Sequence, residues 1–212
     1  MPRDDWFRRT TWRAADADEF FERLDSSRGD FHKAQYLRIQ AHTLYATDEI
    51  NLVRAALELL QRLISDFPVP SELSIAHLQA ARCYEKLGDI GNAVEQLQLS
   101  LHAQEAYPNS DTGVRIEFPW FVATHSLAEY YAAALETLNR AHVAFPVSAF
   151  KAAASRAFIA EALEKPDAVK YAKEALEAAA LDQSQFRYHR RLGLVGGEYA
   201  PFIKRLRAIA AT

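Results

Sequence analysis

Between Leu73 and Pro108 the chain reads LSIAHLQAARCYEKLGDIGNAVEQLQLSLHAQEAYP, two helical apolar patterns joined by a short turn at Gly88-Asp89. Similar hairpins end at Pro68 and Pro146, and the small residues Ala56, Ala93 and Ala134 stand at matching places. A recurring unit of about 40 residues constrains the fold more than any other feature here. A single hairpin of this kind cannot bury its apolar face alone, so neighbouring hairpins must stack. The expected architecture is all-α: an α-α superhelix of about four antiparallel helical hairpins, capped by a helix at each end. The usual product of such a solenoid is a binding surface.

Composition agrees with helix. Alanine is abundant (38 of 212 residues), while the 7 glycines and 8 prolines sit mostly where helices should break. Alanine carries the best helix propensity, and small side chains let helices cross closely. A net charge of −3 gives no global field that would favour nucleic acid or a membrane surface. The one cysteine, Cys83, excludes an intramolecular disulfide framework and a Cys-rich metal site, and its neighbours Ala80, Ala81 and Tyr84 predict a small core residue. The start, MPRDDWFRR, lacks the apolar stretch of a secretory signal, and no segment reaches the roughly 18 apolar residues of a membrane span. These features predict a cytoplasmic protein with no membrane association.

The chain is expected to form one domain over 1–212. Residues 1–31 form an N-terminal cap, with Trp6, Phe7 and Trp12 docking on the next hairpin and a helix opening at Asp16-Ala17-Asp18-Glu19. Four hairpins follow over 32–182. The first breaks at Thr47-Asp48, and its partner helix runs from about Ile50 to Asp66, stopped by Phe67-Pro68-Val69-Pro70. The polar stretch Asn109 to Gly113 is expected to be a mobile loop. Pro119-Trp120 opens the third hairpin, and Lys165-Pro166-Asp167 opens the last helix of the fourth. Residues 183–212 form a C-terminal capping segment. It is broken by Gly193, Gly196 and Gly197 and finished by an amphipathic helix from Tyr199 to Ile209.

Catalytic spacing is missing. The seven histidines lie far apart, none forms a His-Glu-x-x-His pair, and there is no phosphate-binding glycine loop or nucleophile elbow. His125 and Glu129 are one helical turn apart, which reads as a surface pair. The sequence therefore predicts no enzyme, no cofactor and no metal.

The spacing Ala81, Tyr84, Gly88, Asp89, Ala93, Leu97, Leu101 resembles the tetratricopeptide repeat. The departures are that the family's tryptophan position falls on His77 and that Pro108 comes about three residues late. The alanine spacings, 37 from Ala56 to Ala93 and 41 from Ala93 to Ala134, exceed the family period of about 34, so the repeats are degenerate. The resemblance implies that the first helix of each hairpin lines a concave groove binding a protein or peptide partner. Carried over helix by helix, it puts Arg38, His42 and Tyr45 in the groove from the first hairpin and Leu78, Arg82 and Glu85 from the second. His125 comes from the third, and Phe158 and Glu161 from the fourth. Arg38, His42 and Arg82 would make one end positive, suited to a carboxylate. The lysine–asparagine carboxylate clamp of chaperone-binding members is not reproduced, since Arg38 and His42 stand at the two first-repeat positions concerned. The expected function is a non-enzymatic adaptor or scaffold of bacterial type. The alternative is nucleic-acid or anionic-ligand binding through the basic tail, where Arg187, Arg190, Arg191, Lys204, Arg205 and Arg207 face one acid, Glu198. The tail is otherwise read as a cap, its cations suiting a helix C-terminus.

Overall fold

The computed structural model describes residues 5–212, so the first four residues of the expected N-terminal cap lie outside it. The described residues form ten α-helices and two short 3₁₀ turns. By contact density the chain gathers into two compact units, one ending at Val114 and the other beginning at Arg115.

The first unit holds α1 (Ala14–Ser26), α2 (Asp30–Tyr45), α3 (Ile50–Asp66), α4 (Pro70–Lys86) and α5 (Ile90–Ala106). Successive helices pack as antiparallel-type neighbours, α2 on α3, α3 on α4 and α4 on α5, and α2 also touches α4. Local chemistry sets the boundaries. Phe67 leaves helical geometry before Pro68, and Pro70 takes the first position of α4, where its missing N–H removes no intrahelical bond. One core joins Phe20 and Leu24 of α1, Leu37, Ala41 and Leu44 of α2, and Ala56, Leu60 and Leu63 of α3 to Ala80 and Cys83 of α4.

The N-terminal segment closes that core. Trp6 packs 5.2 Å from Phe20 and 4.8 Å from Tyr36, and Trp12 lies 5.4 Å from Phe20. Gln40, fully buried on α2, fixes the segment's backbone: its Oε1 accepts from Arg9 N at 2.9 Å and its Nε2 donates to Arg9 O at 2.8 Å. A buried amide must satisfy both ends, and here one residue of the incoming chain does so.

Within the stretch expected to be mobile, Asp111 and Thr112 are hydrogen-bonded to residues of α4 and α5. Gln104, buried at the end of α5, accepts from Thr112 N at 3.1 Å and Thr112 Oγ1 at 2.6 Å, and donates to Asp111 Oδ1 at 3.2 Å. Thr112 Oγ1 also lies 3.0 Å from Ser74 Oγ on α4. Polar composition suggested a loose loop, but those same polar groups are the ones that bond it to the helices.

The second unit contains α6 (Val114–Thr124, all but its first residue), α7 (Tyr131–Asn139), α8 (Pro146–Ala162), α9 (Ala168–Ala179) and α10 (Ala200–Ala210). Pro119 does not open the third hairpin. It lies inside α6, which begins at Val114, five residues earlier. There it removes one intrahelical bond, a cost that the buried Phe118, Phe121, Val122 and Ala123 around it offset. The fourth hairpin is an alanine seam, with Ala152, Ala153, Ala157 and Ala160 of α8 and Ala168, Ala172 and Ala175 of α9 all buried. Its second helix starts at Ala168, leaving Pro166 in the preceding turn. Helix α10 packs on α9 and α8 through buried Leu206 and Ile209, and Phe202 meets the edge of Trp120 at 4.7 Å.

One turn recurs through the chain. Residues with left-handed backbone stand in the turns that follow α2, α4, α6 and α8, at Asp48 (φ 71°), Gly88 (φ 81°), Ser126 (φ 56°) and Glu164 (φ 53°), spaced 40, 38 and 38 residues apart. At the last three the following N–H reaches back to the helix's third-last carbonyl: Asp89 N to Tyr84 O (2.9 Å), Leu127 N to Val122 O (3.0 Å) and Lys165 N to Ala160 O (2.8 Å). These are Schellman caps, which satisfy carbonyls left open at a helix end. The period that the alanines carry unevenly is therefore written more regularly in the backbone. Only one of the four sites is a glycine, which is why the spacing is hard to see in the sequence. Since a side chain is disfavoured at positive φ by about 1 kcal/mol or more, Glu164→Gly is expected to raise the stability of the second unit slightly. Thermal unfolding should show a gain of a few degrees at most; a clear loss would mean that the Glu164 side chain makes a stabilising contact outweighing the strain.

Candidate functional site

The first helices of the first two hairpins, α2 and α4, share a narrow cleft in the first unit. Ala41, Leu60 and Cys83 form its apolar floor, and His42, Tyr45, Gln79 and Arg82 its polar wall. Helical spacing produces this arrangement. His42 and Tyr45 are one turn apart on α2, and Gln79 and Arg82 are one turn apart on α4, so each helix offers two side chains to the same face. The free space is about 10 Å³, about one water molecule. Drug-sized ligands and substrates occupy clefts of roughly 300–1,000 Å³, so this one can hold only a side-chain tip or a single peptide group.

Its chemistry is mixed. Gln79 Oε1 is out of solvent and accepts no hydrogen bond from any described residue. Half-buried Arg82 and exposed His42 bring donors to the rim. Tyr45 is half-buried, and burial holds its phenol above the usual range, so it stays protonated at neutral pH. The Lys86 ammonium lies 4.6 Å from the Tyr45 ring centroid and is ion-paired with Asp48. The Cys83 thiol, 1 % exposed, is pushed up to about 12 by burial and is no nucleophile at neutral pH.

Of the nine side chains expected in a groove, His42, Tyr45 and Arg82 meet in this cleft. Glu85 is exposed on the same helix, one turn beyond Arg82. Arg38 is not left as an open positive charge: its Nε donates to Glu72 Oε2 at 2.6 Å, and Glu72 is itself 6 % exposed. That carboxylate, in the first turn of α4, neutralises the end of the groove that was expected to be positive. Leu78 and Phe158, each 1 % exposed, belong to the core and not to a groove, because their positions point into their own units. His125 and Glu161 lie in the second unit. His125 Nδ1 is 3.0 Å from Phe121 O, with its ring stacked on Phe121 at 4.2 Å, and Glu161 accepts from Arg205 Nη2 at 2.7 Å. Gln79, Leu60 and Glu72 were missed. Gln79 was legible as the residue one turn before Arg82, whereas the Arg38–Glu72 pairing across 34 residues left no local sign.

Among the described residues no three His, Cys, Asp or Glu side chains converge as a metal would require, and no helix is long and apolar enough to cross a membrane. No family model matches the chain, and no curated protein or solved structure matches it either.

Proposed function

We propose that the chain is a non-enzymatic, cytoplasmic adaptor of the tetratricopeptide-like solenoid type, and that it binds an extended peptide segment of a protein partner over the α2–α4 cleft. The observation that carries this reading is the pairing of a bondless acceptor, Gln79 Oε1, with donors on Arg82 and His42 across a floor too small for a substrate. A peptide group offers an N–H to Gln79 Oε1 and a C=O to the exposed His42 at the rim. The turn recurring every 38–40 residues supports the repeat architecture, and the preformed helices would leave little ordering cost on docking.

The reading is tested by panning the purified protein against a random peptide display library and measuring the enriched peptides by fluorescence anisotropy. A shared motif is expected. Arg82→Ala should weaken binding by roughly tenfold or more, the size of a charge-assisted hydrogen bond. Gln79→Leu should weaken it too, whereas Arg38→Ala should matter less, since Arg38 is engaged with Glu72. Failure of any motif to emerge, or binding indifferent to Arg82 and Gln79, would remove this cleft as the site.

A further inference from the structure

The basic residues of the tail fall into two groups. On α10, Arg205 donates through Nε and Nη2 to Glu161 at 3.0 and 2.7 Å, with its guanidinium 4.2 Å from the Phe158 ring centroid. That contact fastens the helix to α8. Arg187, His189, Arg190 and Arg191 instead lie on the connection between α9 and α10, which closes on itself as a compact loop.

Ser184 holds both strands of that loop: its N donates to Arg190 O at 2.7 Å and its Oγ donates to His189 O at 2.9 Å. The base is clamped to the start of α8. Phe186 stacks on Phe145 at 5.2 Å, Gln185 Nε2 donates to Ala144 O at 2.9 Å, and Val147 N donates to Gly193 O at 2.8 Å. Gly193 has φ 68°, and a Cβ there would meet the Phe145 side chain at 2.6 Å, so the clamp requires glycine. None of these contacts uses the cationic side chains. The loop would hold its shape without them.

The loop presents both cations and apolar side chains to solvent. Tyr188 is 83 % exposed and Leu192 is 50 % exposed. The guanidinium carbon of Arg187 lies 5.5 Å from the Tyr188 ring centroid. Among the described residues no carboxylate lies within ion-pair distance of Arg187, Arg190 or Arg191, whereas Arg9, Arg23, Arg38, Arg62, Arg140 and Arg205 each have one. From Gln183 to Gly197 the sequence contains no Asp or Glu. Gathering like charges beside an exposed aromatic ring suits a polyanion.

We propose that the 183–193 loop binds single-stranded nucleic acid, with Arg187, Arg190 and Arg191 on phosphates and one base stacked on Tyr188. Cations neutralise the backbone while an exposed ring accepts a base face, the combination used by sequence-tolerant single-strand binders. A duplex keeps its base faces stacked and would leave Tyr188 without a partner. An anionic bilayer fits less well, because Arg190 and Arg191 lie between Tyr188 and Leu192, so burying both apolar residues would carry the guanidinium groups toward hydrocarbon. An acidic peptide would engage the arginines but not the ring.

The test is fluorescence anisotropy of the full chain with labelled oligo(dT) and oligo(U) of about 12 nucleotides, within the range of single-strand site sizes. Binding is expected to weaken with salt, log K falling against log salt with a slope of about −2, as for three phosphate contacts on a single strand. Tyr188→Ala should weaken binding by about tenfold, and Tyr188→Phe should retain it, since stacking needs the ring and not the hydroxyl. The Arg187→Glu, Arg190→Glu, Arg191→Glu triple variant should abolish binding without changing the melting temperature, because none of the three holds the loop. Lys204→Glu on α10 should leave binding intact. The proposal is overturned if neither oligonucleotide binds, if Tyr188→Ala binds as tightly as the parent, or if Lys204→Glu is as damaging as the triple variant. Binding to poly-glutamate or to phosphatidylserine vesicles in preference to the oligonucleotides would also overturn it. This surface is independent of the α2–α4 cleft: Arg82→Ala should leave oligonucleotide binding unchanged, so either assignment can fail alone.

Discussion

Replacing Phe158 by alanine is expected to destabilise the second unit by about 3–5 kcal/mol, the usual cost of deleting a buried aromatic. Phe158 is 1 % exposed, lies 6.4 Å from both Trp120 and Phe202, and has the Arg205 guanidinium 4.2 Å from its ring centroid. Its removal therefore opens a cavity and also takes away the surface on which α10 is fastened. Labelling with 5-fluorotryptophan separates Trp120 from Trp6 and Trp12, so a urea titration followed by fluorine NMR reads the second unit by itself. A change below about 1 kcal/mol, accompanied by loss of a bound peptide, would return Phe158 to a binding role; a large loss of stability fixes it as core.

The same titration gives the complementary result for Phe20. It is fully buried and is the ring on which Trp6 and Trp12 both pack, at 5.2 and 5.4 Å. Phe20→Ala is expected to cost the first unit about 3–5 kcal/mol, with the Trp6 and Trp12 resonances moving toward their solvent-exposed positions at low denaturant. The size of the effect follows from geometry. The segment before α1 has no helix of its own among residues 5–13, so its order rests on these ring contacts and on the Gln40–Arg9 pair. If the tryptophan signals keep their native positions in the variant, the Gln40 clamp alone holds the segment.

Much of the fold was legible because its signals are local. The α3 boundaries, Ile50 and Asp66, follow from the break at Thr47-Asp48 on one side and Phe67-Pro68 on the other. The α4–α5 turn follows from Gly88 and from Asp89, whose side chain accepts from Asn92 N at 3.1 Å. The misreadings have equally local causes. Proline favours a helix start, which is the place expected for Pro119, but seven buried or half-buried apolar residues of α6 hold the helix through it. Glu164 and Ser126 hid two repeat turns because their residue types do not announce positive φ.

The candidate surfaces were less legible, for a different reason. Periodicity says which residues share a helix face, and His42 and Tyr45, one turn apart on α2, line the same cleft. It cannot say whether a charge on that face has met its counterpart. Arg38 and Arg205 carry the same formal charge as Arg190, yet the first two are spent on Glu72 and Glu161, 34 and 44 residues away, and the third is not.

The sequence alone thus determined that this chain is helical, where most of its helices stop, and which small residues let them cross. Those properties depend on backbone capping and side-chain volume within a few residues. Tertiary structure alone decided which polar groups remain available. It neutralised Arg38, buried Leu78 and Phe158, tied Thr112 to Gln104, and, among the described residues, left Gln79 Oε1 without a hydrogen bond and the 183–193 arginines without a carboxylate. The physical reason is that desolvation and ion pairing depend on distances in space, which separation along the chain does not encode.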